Sequence, residues 1–390
     1  MMKRLLICLV LVLSVCIAAP AQKPKVRISA WYWLNSAPKS EWERDFKQMK
    51  RMGFTDVLTC WGVDLLGVIT RKSDTTEAIA LANKAGLKTY LIVWQPTANS
   101  MKRDPRYLWV DADGKVENRF DVFNREWRST QWKSYLQDVA KTYHNQPGFA
   151  GYAFDDSFGS GGLIGYGVYE EKTFGTPLPR KSTDPRWDEW MRAREGWWED
   201  WAVDTVNFIR EIDPDRGHEI YIEDSINSIT NPNRPTLSGL DFARVARHFD
   251  AVGGYTEPTW TSDVDSSKNV QVKTLAALAT IRNEVGPKQQ IIFTFWTANH
   301  AEERKPGPAV HPTALEIEQV CEDALRFGIR HLDMYGYRIG EFQVTEAQQA
   351  KQMPAEPASY VVTGQFPRKF MYDRPEIKEE LGKYLRGLNK

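Results

Sequence analysis

Gly151-Tyr152-Ala153-Phe154-Asp155-Asp156 alternates small residues with large aromatics and ends in two carboxylates. Side chains alternate across a β-strand, so Gly151, Ala153 and Asp155 share one face, and Tyr152 and Phe154 share the other. A face of small residues suits the crowded inside of a closed barrel, and an aromatic face suits a layer of covering helices. On that reading Asp155 points into the barrel mouth. Asp156, where the strand ends, turns toward the same cleft.

Working outward, short apolar runs bounded by turn residues recur at 26–33, 55–61, 87–94, 149–155, 218–224, 250–257, 290–297 and 329–335. Helical patterns at 40–52, 75–85, 130–144, 187–212, 240–249, 270–285 and 312–327 separate them, and 375–388 reads as a closing helix. Several of these begin at Ser, Thr or Asp and stop at Gly53, Gly86 or Gly328, where a left-handed residue is wanted. Eight strands, each followed by a helix, predict an α/β chain folded as a single (β/α)8 TIM barrel. A doubly wound sheet carries a Gly-rich phosphate turn after its first strand, and none follows Trp33. No repeat, low-complexity linker or shift in composition marks a second domain, so 22–390 reads as one catalytic barrel. The extra length falls in the connections 95–129, 157–186 and 336–373, after strands three, four and eight. All three belong to the C-terminal face, where such barrels keep their chemistry.

The 390 residues hold 51 Lys+Arg against 51 Asp+Glu, and no basic run, which argues against a grip on nucleic acid. At 42% hydrophobic with 15 Trp, the chain has ample surface to bury and is not a disordered one. Lys3 and Arg4, the apolar run 5–18 and Ala19-Pro20-Ala21 predict a signal peptide over 1–21 and export to the periplasm or medium. Lipid anchoring at Cys16 is the competing reading, although Val15 is a poor residue before such a cysteine. Cys60 ends a strand and Cys321 lies on a late helix, which predicts two buried thiols and no bridge between them.

Aromatic residues gather at the strand ends. Trp31 and Trp33 end strand one, Trp61 strand two, Trp94 strand three, Trp296 strand seven and Tyr335 strand eight, and Trp260 follows strand six. Flat apolar faces around a mouth suit pyranose rings, whose C–H faces stack on aromatics while their hydroxyls need polar partners. Trp109, placed by the Asp113-Gly114 turn of a hairpin in the third connection, joins this expected wall, as do Tyr221 and Tyr255. Parity turns Glu223 inward with Tyr221 on strand five, Glu257 with Tyr255 on strand six, and Asp333 with Tyr335 on strand eight. Asp155, Asp156, Glu223 and Glu257 are the expected catalytic carboxylates, and Asp333 is grouped with the substrate-binding residues. Neighbouring strands run about 5 Å apart, so both the retaining separation of about 5–5.5 Å and the inverting one of about 6.5–9.5 Å are open. Carboxylates crowded in an apolar mouth raise the pKa of at least one, leaving a proton donor beside an ionised partner.

Other chemistries lack their residues. The six histidines show no ligand spacing, so no metal is expected. There is no Gly-x-Ser-x-Gly elbow, no Cys–His pairing and no Walker sequence. The glycine-rich stretch 159–167 lacks a Lys and an immediate helix and reads as a lid or plain loop. No organic cofactor, membrane span or obligate protein partner is expected; the expected partner is a carbohydrate.

Gly148-Phe149-Ala150-Gly151-Tyr152-Ala153-Phe154-Asp155-Asp156-Ser157-Phe158-Gly159 resembles the fourth-strand signature of TIM-barrel glycoside hydrolases. It is similar to clan A enzymes of the family forty-two β-galactosidase type and to glycosidase-like barrels whose fourth strand ends in an aspartate pair. Ser157 stands where clan A carries its acid/base Glu, Asp156 where it carries Asn, and strand seven has no carboxylate at the nucleophile position. Resemblance to the aspartate-pair barrels implies that Asp155 or Asp156 attacks and that Glu223 or Glu257 protonates the leaving oxygen. The function expected is a secreted glycoside hydrolase cleaving O-glycosidic bonds with two carboxylates. The alternatives are a non-catalytic carbohydrate-binding barrel and a carbohydrate-active lyase or transglycosidase.

Overall fold

Eight parallel strands close into a barrel in the computed structural model, which describes residues 25–61, 69, 71–93, 104–155, 165–225, 238–256, 266–287, 289–297, 312–338, 371 and 374–390. In chain order the strands are β1 (Arg27–Trp33), β2 (Asp56–Cys60), β3 (Lys88–Ile92), β4 (Leu108–Val110), β5 (Val116–Phe120), β6 (Phe149–Phe154), β7 (Glu219–Ser225), β8 (Ala251–Thr256), β9 (Gln290–Trp296) and β10 (His331–Arg338). The barrel order is β1-β10-β9-β8-β7-β6-β3-β2, with β1 pairing β2 on its other side, while β4 and β5 form a separate antiparallel hairpin. Helices α1 (Lys39–Met52), α2 (Lys72–Lys84), α3 (Lys133–Tyr143), α4 (Val168–Phe174), α5 (Trp187–Arg210), α6 (Phe242–Ala246), α7 (Ser266–Val285), α8 (Ala314–Arg326) and α9 (Pro375–Gly387) accompany the strands. None of the described helices is long and apolar enough to cross a membrane.

The (β/α)8 architecture expected from the periodicity is the one found. The helices α1 and α8 run out at Gly53 and Gly328, with φ of 111° and 88°. Two features escaped the periodicity. The fourth connection contains α4, and α3 is entered through a helical turn at Arg125–Trp127 and a π-helical stretch at Arg128–Trp132. That entry is capped by Asn124, whose Oδ1 accepts from the backbone N–H groups of Glu126 and Trp127.

Strand alternation divides the apolar side chains into two cores. Trp31, Leu58, Cys60, Tyr90, Ile92, Ala153, Tyr221, Ala251 and Ile292 fill the barrel, with Trp33 and Tyr335 packed on them. Ile28, Tyr32, Val57, Leu91, Tyr152, Phe154, Ile220, Phe293 and Leu332 face the helices. Most of the described tryptophans belong to this outer layer, where Phe120, Trp127, Trp132 and Tyr135 stack in succession at 5.2, 5.6 and 5.6 Å. Both Cys60 and Cys321 are buried.

Gly151 is required where β6 meets β7. Its φ of +146° is one that L side chains rarely adopt, and a Cβ there would lie 2.0 Å from the carbonyl oxygen of Glu219. A polar plug closes the barrel below this level. Arg27 donates to Glu219 at 2.7 Å, Tyr90 Oη donates to the same carboxylate at 2.6 Å, and Asp56 lies 3.6 Å from the guanidinium. Burial works against the charge on Glu219, but Arg27 and the Tyr90 hydroxyl hold its pKa below the usual carboxylate range. The entry to β1 meets the C-terminal residues at this face too, where the Asn389 side chain bonds both the N–H and the C=O of Val26 at 2.9 Å.

Candidate active site

Three inward carboxylates converge in the upper half of the barrel, each delivered by strand parity. Asp155 follows the last residue of β6 on the face of Gly151 and Ala153, and it is half-buried. Glu223 lies two residues above Tyr221 on β7 and is buried. Its register neighbour on β8 is Gly253, where a Cβ would come within 2.5 Å of Glu223 Cβ and 2.8 Å of Glu223 Oε2. The missing side chain at 253 is what makes room for the carboxyl. Asp333 sits on β10 in register with Ser29 of β1 and Thr294 of β9, and it is fully buried.

Hydrogen bonds join two of the three. Thr294 Oγ1 lies 2.9 Å from Glu223 Oε2 and 3.1 Å from Asp333 Oδ2. Asp333 also accepts from Ser29 Oγ at 2.5 Å and from the Trp31 indole N–H at 2.6 Å. Behind Ser29, the imidazole Nε2 of His331 lies 3.0 Å from its hydroxyl.

Burial raises the Glu223 carboxyl well above its ordinary pKa of 4.5, and the charges of Asp155 and then Asp333 raise it further. Burial likewise pushes Asp333 up to about 6, held back by the donors Ser29, Trp31 and Thr294. His331 is kept neutral, its pKa driven well below the usual value by burial and then by Arg27. The upper barrel therefore favours the acid form of Glu223 beside Asp333, whose three donors favour its charge, a separation of the kind that acid-assisted bond cleavage needs.

Above these groups the aromatics form a rim. Trp296 stacks on Tyr335 at 4.6 Å with 27° between the rings, and Tyr335 meets the edge of Trp31 at 5.0 Å. Trp33, Trp296 and Tyr335 are all half-buried.

No protein-family model matches the chain, and no curated protein matches it in sequence. Among solved structures it is similar to a β-galactosidase from the psychrophilic Marinomonas ef1 (TM-score 0.61, 15% identity, covering 79% of this chain and 53% of that one). It is also similar to the PgaB (BpsB) glycoside hydrolase domain of Bordetella bronchiseptica (TM-score 0.58, 14% identity, 81% of this chain and 95% of that one). A third similar structure is the endo-1,4-β-D-mannanase of Thermotoga petrophila (TM-score 0.53, 11% identity, 93% and 99%). The fold is a (β/α)8 TIM barrel, shared with these glycosidases. The chain spans about half the length of the β-galactosidase, and at these identities the likeness is one of fold.

Several expected wall residues of the barrel lie elsewhere. Trp61 turns outward because Leu58 and Cys60 take the inward positions of β2. It packs edge-on to Trp42 at 5.9 Å, its indole N–H donates to Thr75 Oγ1 at 2.9 Å, and the Arg71 guanidinium covers it at 4.4 Å. Burying such a ring beneath helices is worth about 2–3 kcal/mol, a gain an exposed rim position forgoes. Trp109 is on the hairpin as expected, with Gly114 at φ 86°, but its ring is buried in the helix-side core. Tyr221 is fully buried beneath Glu223, and Trp31 is spent on Asp333. Asp333 itself contacts three donors and lies below the rim. Trp94, Asp156, Glu257, Trp260, the stretch 159–164 and the leader lie outside the described residues, as does the side chain of Tyr255. Sequence reasoning missed Ser29, Thr294 and Gly253, although each stands at an inward position of its strand. Parity applied to hydroxyls and glycines as well as carboxylates finds them.

Proposed function

We propose that this protein is an exported glycoside hydrolase that cleaves O-glycosidic bonds, with Glu223 as proton donor and Asp155 as the ionised carboxylate facing the anomeric carbon. The observation that carries this reading is the inward pairing of a buried Glu223, whose pKa burial raises, with a half-buried Asp155 beneath the Trp296–Tyr335 stack. In the reaction the Glu223 O–H bond breaks as an O–H forms on the leaving oxygen, and the C–O bond to the sugar breaks with its electrons going to that oxygen. Asp155 stabilises the positive charge that develops at the anomeric carbon, either by attacking it or by activating water. The stacked rings hold a sugar face, and the barrel walls keep bulk water from the acid.

The glycosidase barrels with similar folds support the reading at the level of scaffold, and the polar plug at the opposite end supports one working face. Release of reducing sugar from a glycan panel, measured for wild type, Asp155→Asn and Glu223→Gln, tests it. Each variant is expected to lose about a hundredfold or more in rate. Wild-type rates in both variants would overturn the assignment, and binding of glycans without cleavage of any would establish a carbohydrate-binding barrel instead.

A further inference from the structure

Thr294 Oγ1 stands between two carboxyl groups, at 2.9 Å from Glu223 Oε2 and 3.1 Å from Asp333 Oδ2. A hydroxyl carries one hydrogen and can donate to only one of them. The other contact is a hydrogen bond only if that carboxyl carries a proton and donates back. The remaining partners decide which one does. Both oxygens of Asp333 already accept, Oδ1 from Ser29 and Oδ2 from Trp31. Glu223 has Thr294 as its one hydrogen-bond partner among the described residues, and its Oε1 has none. The anion therefore belongs on Asp333 and the proton on Glu223. Donation then runs in one direction at every contact: His331 Nε2–H to Ser29, Ser29 to Asp333, Trp31 to Asp333, Thr294 to Asp333, and Glu223 to Thr294.

We infer that Asp333 and Thr294 are positioning residues for Glu223: the Asp333 charge keeps it in its acid form and the Thr294 hydroxyl ties down Oε2, leaving Oε1 with no hydrogen-bond partner among the described residues. The inference rests on the reading of Glu223 as the proton donor. Glu223 is faced by Asp155 on β6, Asp333 on β10 and Thr294 on β9, with Tyr221 and Asp224 on its own strand. Asp333 is faced by Ser29 and Trp31 on β1, Asp56 on β2 and His331 on its own strand. An ionised Asp333 disfavours a second negative charge on Glu223. Once the proton has left, the Thr294 hydroxyl is the donor placed to turn from Asp333 to the new Glu223 carboxylate. The two residues thus act with opposite sign: the Asp333 charge favours the acid, and the Thr294 hydroxyl favours the carboxylate.

That opposition is the test. Difference infrared spectroscopy follows the protonated carboxyl of Glu223, identified by its loss in Glu223→Gln, as pH is raised. In Asp333→Asn the midpoint of its titration is expected to fall by about one pH unit or more, because a neutral amide replaces the nearby charge. In Thr294→Val it is expected to rise, because the ionised form loses its donor. Ser29→Ala removes a donor from the Asp333 anion, lets Asp333 hold a proton to higher pH, and shifts Glu223 in the direction of Asp333→Asn, which keeps the test open should Asp333→Asn fail to fold. Midpoints that stay put, or that all move the same way, overturn the inference, since a purely structural role changes stability without sorting these signs. The readout needs no glycan. Opposite shifts in a protein that cleaves nothing would sink the proposed function and leave the coupling standing, whereas Glu223-dependent cleavage with unmoved midpoints would do the reverse.

Discussion

In Glu223→Gln a neutral amide replaces a carboxyl that the fold holds protonated, and the consequence for stability has a calculable sign. Burial first, then the charges of Asp155 and Asp333, raise the pKa of Glu223 in the folded state well above 4.5. In the unfolded chain the same group ionises near that ordinary value. Between the two values the native state binds one more proton than the unfolded state, so wild-type stability falls as pH rises, by about 1.4 kcal/mol per pH unit. The stabilising contribution is fully present below the unfolded pKa and is lost as pH climbs toward the folded one. The Gln variant does not titrate at this position. Its stability relative to wild type is therefore expected to improve by about 1.4 kcal/mol between roughly pH 5 and pH 6. The other titrating carboxylates occur in both proteins and largely cancel in the difference. Urea unfolding followed by tryptophan fluorescence at each pH measures it. A difference, variant minus wild type, that stays flat or falls as pH rises refutes the claim that Glu223 is a neutral acid in the folded barrel, and with it the proton donor assigned above.

Four further substitutions probe the geometry. Gly253→Ala drives a Cβ to within 2.5 Å of Glu223 Cβ; a stability loss of about 1–3 kcal/mol is expected, with a fall in turnover that exceeds what stability explains, read from kcat beside urea unfolding. Gly151→Ala places a Cβ 2.0 Å from the Glu219 carbonyl at a backbone angle hostile to side chains, and it should cost at least about 2 kcal/mol in denaturant unfolding, a neutral result contradicting the β6–β7 register. Trp296→Ala removes one ring of the rim stack, so glycan affinity by calorimetry should weaken by up to about tenfold, whereas Trp61→Phe should leave affinity unchanged and lower stability by about 1 kcal/mol through the lost bond to Thr75.

The barrel was legible because its signals are local and repeated. Val57, Leu91, Ile220, Phe293 and Leu332 each mark an outward position, and their neighbours in parity follow without reference to any other strand. The inward placement of Asp155, Glu223 and Asp333 follows from the same count. Tryptophans resisted the same treatment. Trp61 lies one residue past Cys60, and a single step of parity exchanges the mouth for the helix layer. Trp109 is an ordinary hairpin residue by sequence, and only its packing shows that its ring turns into the outer core. Asp333 was grouped with sugar contacts because its strand position matches Tyr335, yet it sits low enough to meet Ser29, Trp31 and Thr294.

By itself the amino-acid sequence determined the eightfold alternation of strand and helix, the face on which each strand residue lies, and the collection of acids and aromatics at one end of the barrel. These follow from periods of two and 3.6 residues, which any segment carries within itself. Tertiary structure alone decided that Glu223 and Asp333 share the hydroxyl of Thr294, that Gly253 leaves the space Glu223 occupies, and that most indoles lie beneath helices. Those outcomes depend on how strands from opposite ends of the chain are set in register around the closed barrel. Which carboxyl keeps its proton is a property of that shared interior, where each charge is felt by groups far away in sequence and close in space.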